Sequence, residues 1–145
     1  MKPFKLQTVL DYRKRCEDAA QKRLLESEER RSAAAAQWKA AKAEVVRLLD
    51  ELQASKQNDV RIPELLMYEE CIAFQRREAA GLEKKLTEAD AAVQKRRAEL
   101  VAARQEKRAL ELLKEKREAA EKQKRENQEN KFLDEIAVIS FGGKQ

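Results

Sequence analysis

LLMYEECIAFQRREAAGLEKKLTEADAAVQKRRAELVAARQEKRAL, residues 65–110, is the stretch that decides the fold. Stepping through it by threes and fours in alternation gives Leu65, Tyr68, Ile72, Gln75, Ala79, Leu82, Leu86, Ala89, Val93, Arg96, Leu100, Ala103, Lys107 and Leu110. Only Gln75, Arg96 and Lys107 interrupt the apolar stripe. A heptad sustained over this length is the seam of a coiled coil. Past it the stripe ends while helix formers continue: residues 114–131 carry no apolar side chain larger than alanine. A helix that outruns its partner has a free end.

A second stripe precedes the first. Leu6, Val9, Arg13, Cys16, Ala20, Leu24, Ser27, Arg31, Ala34, Trp38, Ala41, Val45, Leu48 and Leu52 recur with the same steps, apart from one extra four at Cys16–Ala20–Leu24. An inserted four unwinds a supercoil locally. Pro3 suits a first helical turn, where a missing N–H costs nothing. Asn58, Asp59 and Pro63 mark a turn, and Pro63 disfavours the α region for Ile62. A short link between two long amphipathic helices predicts an antiparallel hairpin. The expected organisation is all-α and a single elongated domain, 1–145. Its parts are a helix over 3–56, a turn over 57–62, a longer overhanging helix over 63–137 and a tail over 138–145 closed by Gly142 and Gly143.

A turn centred near Asp59 pairs residues whose numbers add to roughly 117, with pairing lost beyond about Lys114. Trp38 then falls opposite Ala79, near Gly81, and crowding by the indole accounts for the glycine. Cys16 and Cys71 lie too far apart for a disulfide, which needs Cα atoms within about 7 Å.

Composition agrees with a thin seam. Charged residues are 41% of 145, with three Gly and two Pro, too few turn formers for a globule. High charge with low hydropathy also marks disorder; the regular seam decides for a coiled coil. The net charge of +5 is spread among interleaved signs, which favours solubility and acidic partners. No run approaches the ~20 apolar residues of a membrane span, and the first ten residues lack a signal-peptide core. A cytoplasmic chain with reduced thiols is expected.

Chemistry is sparse. There is no His, no phosphate-cradling glycine loop, no metal-ligand spacing and no nucleophile beside a base. Glu28–Glu29 and Glu69–Glu70 are adjacent carboxylates, and neighbours in sequence point to different sides of a helix. No enzyme activity, metal or cofactor is expected. The basic runs at Arg13-Lys14-Arg15, Arg96-Arg97 and 114–131 are candidates for acidic partners, but the last holds seven basic against five acidic residues. That mixture makes a solvated helix face with i,i+4 pairs, and nucleic-acid binding is not expected. Apolar residues outside the seam are more informative. Val46, Leu49, Leu66, Met67 and Phe74 flank the turn. Phe132, Leu133, Ile136, Ala137, Val138, Ile139 and Phe141 form a patch at the far end of the polar overhang. The turn cluster either broadens the seam packing or meets a partner; the terminal patch either folds back on Phe4 and the N-terminal turn or plugs into a partner.

Phe4-Lys5-Leu6-Gln7-Thr8-Val9-Leu10 with Arg13 and Glu17, then Tyr68-Glu69-Glu70-Cys71-Ile72, then 110–116 (LELLKEK) and Asp134-Glu135-Ile136-Ala137, follow one another in an order and spacing that resembles the FliJ/YscO family. These are small stalk proteins of flagellar and virulence type III export, and the flagellar branch is the better match. The apolar tail 138–143 departs from the basic ending of that pattern. The resemblance implies an antiparallel two-helix coiled coil similar to the central shaft of rotary ATPases. It further implies a peripheral place at the inner-membrane export apparatus, with links to flagellum biogenesis and chemotaxis. Implied partners are the export ATPase hexamer, which the stalk enters and activates, the export-gate membrane protein and export chaperones; the free protein would be a monomer. Carried onto this chain, the ATPase-ring-binding set is Phe4, Leu6, Val9, Leu133, Asp134, Ile136 and Ile139. The gate- or chaperone-binding set is Val46, Leu49, Met67, Tyr68 and Phe74. A generic coiled-coil scaffold and a virulence stalk are the alternatives.

Overall fold

The computed structural model describes residues 4–142. Two helices, α1 (Gln7–Lys56) and α2 (Ile62–Gly142), pack against each other as a helical hairpin, with no strand among the described residues. The expected Pro3 start and Gly143 stop lie outside the described residues.

Helix ends differ from expectation for local reasons. Before α1, the Gln7 N–H donates to the Phe4 carbonyl at 3.0 Å, closing a tight turn, so regular helix begins at Gln7. At its other end Gln57 and Asn58 donate to the carbonyls of Ala54 and Ser55, the tightened pattern that satisfies terminal acceptors. Asp59 then takes φ 52°, a left-handed value that Asp and Asn tolerate better than most residues. The Arg61 carbonyl accepts from both Glu64 and Leu65, which draws Ile62 into the helix and leaves Pro63 in its first turn. At the far end, 138–142 continues the helix rather than forming a tail. Val138 and Ile139 are weak helix formers, yet no Pro or turn residue stops propagation.

The residues group into two compact units, Met1–Glu17 with Ala102–Gln145, and Asp18–Val101. In the first, Phe4 meets Arg117, Gln7 accepts from Lys114, Arg13 pairs with Glu106 and Glu17 with Arg104. In the second, Arg23 pairs with Glu99, Glu28 with Arg97 and Arg31 with Asp90. In each, numbers rise along α1 as they fall along α2, so both units are antiparallel. The partners' numbers add to values from 119 (Arg13 with Glu106) to 125 (Glu28 with Arg97), above the expected 117.

The register follows from which residues are covered. On α2 all fourteen stripe positions from Leu65 to Leu110 are buried or half-buried, with Val93 at 2% exposure. On α1 the expected stripe needs correction at its start. Leu6 and Val9 are exposed, whereas Leu10 is 2% exposed. Taking Leu10 and Glu17 in place of Val9 and Cys16 gives Leu10, Arg13, Glu17, Ala20, Leu24, Ser27, Arg31, Ala34, Trp38, Ala41, Val45, Leu48, Leu52 and Ser55, an unbroken heptad without the inserted four. A leucine next to a valine concealed the phase, and a glutamate in a seam position disguised it further. Direct layers of this heptad pair numbers adding to 120, for example Leu10 with Leu110 and Leu48 with Ile72.

Two further expectations change with the register. Trp38 comes level with Leu82 and is half-buried, with the Lys42 ammonium 3.5 Å from its ring centre. Gly81 is exposed, and a Cβ built there would meet nothing within 4 Å, so crowding does not explain the glycine. Pairing also persists past Lys114: Lys114, Arg117 and Glu121 are half-buried, and full exposure begins at Lys122. Cys16 and Cys71 are both free thiols.

Candidate interaction surfaces

From Lys122 to Gly142 every residue of α2 is exposed. Its charges cancel: Lys122, Lys124, Arg125 and Lys131 balance Glu126, Glu129, Asp134 and Glu135. The apolar patch on this segment stands in solvent, with Phe132 at 62%, Leu133 at 60% and Ile139 at 73% exposure. It does not fold back onto Phe4. At about 100° per residue, Phe132, Ile136 and Ile139 share one stripe with Leu133 beside it, while Asp134 falls on the opposite side. Val138 and Phe141 continue the apolar surface round the helix. The tip is therefore an apolar stripe with Asp134 on the far side of the helix and Glu135 at its edge, between Ile139 and Val138.

Phe4, Leu6 and Val9 occupy a different place. The Arg117 guanidinium lies over the Phe4 ring, 5.9 Å from its centre, which sets Phe4 level with Arg117. Leu133 is 16 residues further along α2, about 24 Å at ~1.5 Å per residue. The expected ring-binding set thus divides into an N-terminal group and a tip group. The N-terminal group also has members that the sequence stripe passed over. Leu112 and Leu113 are about half exposed, and the heptad puts Leu113 on the same flank as Val9. Two leucines in succession at 112–113, one step off the seam, were the available signal.

The turn end divides as well. A recess of about 610 Å³ is lined by Glu44, Arg47, Leu48, Cys71, Phe74 and Arg77 among others. A second, about 330 Å³, is lined by Leu48, Ser55, Glu64, Met67, Tyr68 and Cys71. Cys71 and Leu48 belong to both, so Met67, Tyr68 and Phe74 share one flank. Val46 and Leu49 line neither recess; their heptad positions place them on the other flank, with Leu66. All three are exposed, as are Met67 at 67% and Phe74 at 52%. The expected gate- or chaperone-binding set is therefore two faces. On the Phe74 side Arg47 is clasped by Glu44 and Glu51. Its side-chain hydrogen bond to Glu44 holds that carboxyl below the usual carboxylate range. This flank combines apolar contact area with an ordered cation and two acids, a surface suited to a mixed apolar and polar protein partner.

No helix among the described residues is long and apolar enough to cross a membrane. The model of the family described as "Flagellar FliJ protein" matches residues 1–145. No curated protein and no solved structure matches the chain.

Proposed function

Since the chain belongs to the FliJ family, whose members are components of flagellar type III export, we propose that it is the shaft that enters the hexameric export ATPase and raises its activity. It favours assembly of the ring and joins it to the export gate and to export chaperones. It does so from the cytoplasmic side of the inner membrane and performs no chemistry itself. The observation that carries this is the exposed end of α2. Among the described residues, nothing covers the helix from Lys122 to Gly142, yet it ends in a contiguous apolar face. An exposed apolar face of this kind marks a surface that meets a partner. A ligand that prefers the assembled ring stabilises it by mass action, so insertion and assembly are linked.

Leu133→Ser with Ile136→Ser tests the tip. Ring formation and ATPase stimulation should fall while circular dichroism keeps the parental helicity, because neither residue lies in the seam. Stimulation like that of the parent sinks the assignment. The neutral charge of the tip adds that stimulation should survive raised salt, which screens ion pairs. On the Phe74 flank, Met67→Ser with Phe74→Ser should spare stimulation and weaken gate or chaperone binding. A generic scaffold would pair chain with chain, so a doubled mass in sedimentation equilibrium would favour that alternative.

A further inference from the structure

Glu17 and Lys107 both sit in the seam, one on each helix, at positions where a coiled coil normally places apolar side chains. Glu17 is only 15% exposed and Lys107 25%. The Lys107 ammonium lies 2.5 Å from Glu17 Oε2. That oxygen is shielded from solvent and makes no hydrogen bond of good geometry. Arg104 stands 3.7 Å from the other carboxylate oxygen. We infer that this sheltered cross-helix ion pair sets the register between the start of α1 and α2, and thereby fixes how far α2 projects beyond Phe4.

The alternative registers show why. A slide by one heptad moves α2 about 10 Å along α1. The residues between the helices, 57–61, can extend to roughly 17 Å, so the turn alone does not forbid it. The seam of this unit is a poor judge, because small or polar side chains (Arg13, Ala103, Lys114) fill many of its positions. A slide one way brings Lys107 beside Leu10 instead of Glu17. A slide the other way takes Leu10 from Leu110 to Arg117 and brings Lys107 beside Leu24; Glu17 then meets Lys114, so in that direction the sheltered charge left without a cross-helix partner is Lys107. Pairs within α2 do not discriminate: Lys107 keeps Glu111, 3.7 Å away, in every register. The cross-helix partner changes. Arg13 with Glu106 also crosses, but the two side chains are 36% and 54% exposed, and rim pairs of this kind add little. A sheltered charge left without its partner is costly, whereas a matched pair is often no more stabilising than two apolar residues. A pair of this kind therefore selects a register more than it deepens the native minimum, as polar seam residues do elsewhere. The inference holds whether or not the tip enters an ATPase ring.

Distance measurement by electron spin resonance tests it. In a Cys16→Ala/Cys71→Ala background, spin labels are attached at Lys14→Cys and Lys122→Cys, two exposed sites well separated along the hairpin. The otherwise unaltered protein should give one distance. Glu17→Leu with Lys107→Leu should melt at or above the parental temperature and show a second distance shifted by about 10 Å. Exchanging the charges, Glu17→Lys with Lys107→Glu, should restore the single distance. A single parental distance in the doubly leucine-substituted protein overturns the inference. So does a lowered melting temperature there, which makes the pair an ordinary stabilising contact. Should that protein fail to fold, Glu17→Gln keeps the shape and removes the charge; it must show the second distance, and a single one overturns the inference.

Discussion

One helix contains two regimes. Between Leu65 and Glu121, α2 is covered at every third or fourth residue; from Lys122 to Gly142 it is covered nowhere. Backbone conformation does not distinguish them, and neither does charge, which is dense in both. What differs is the presence of α1 alongside. The covered segment draws its stability from apolar area removed from water. The free one has only intrinsic propensity and i,i+4 pairs, which leave an isolated helix of about 20 residues marginal. Apolar side chains in the first segment are therefore structural, and those in the second are surplus to folding.

The sharpest way to break this contrast is to cut the seam. Leu100 is 6% exposed, and Leu100→Ala should cost about 2–4 kcal/mol in denaturant unfolding, as expected for a leucine that leaves a cavity. Leu82 and Leu86, only half-buried, should cost less. Equal costs at all three would mean that the seam is tighter than its exposure indicates.

Gly81 offers a smaller effect of opposite sign. It lies mid-helix on the exposed side, and an added Cβ has room. Gly81→Ala should stabilise the protein by about 1 kcal/mol, the propensity difference between the two residues. Destabilisation would mean that the methyl meets something the free chain does not display.

How far the hairpin could be read from sequence depends on which region is considered. The α2 stripe was legible because leucine, isoleucine and valine mark its phase at seven of its fourteen positions, and all fourteen proved covered. The start of α1 was not. There the seam runs through Glu17, whose charge argues against burial until Lys107 is seen opposite. Val9 and Leu10 compete for one position, and hydropathy alone cannot choose. The three-residue error in register, and with it the account of Trp38 and Gly81, follows from that end and from the exact turn. The candidate surfaces were legible as residue lists and not as faces. Met67 and Phe74 separate from Val46 and Leu49, and Asp134 from Ile136, only once position round the helix is known.

The smallest expected effect is also the most direct test of the contrast. Ending the chain after Glu121 deletes the whole uncovered segment. No residue from Lys122 to Gly142 is even half-buried, so the deletion returns almost no apolar area to water. Its ion pairs would be exposed ones, worth a few tenths of a kcal/mol at most. Unfolding of the shortened protein should therefore stay within about 0.5 kcal/mol of the parent, as for surface changes generally. Amides of this segment in the intact protein should exchange hydrogen much faster than those near Val93, since local opening breaks no packing. The same truncation removes Phe132, Leu133, Ile136 and Ile139, and on the proposed function it abolishes ATPase stimulation. A melting temperature lowered by several degrees would show that the segment packs on the hairpin in solution, and the free-end argument would fall with it. Unchanged stability with unchanged stimulation would leave the helix free and move the ATPase contact to Phe4, Leu6, Val9 and Leu113.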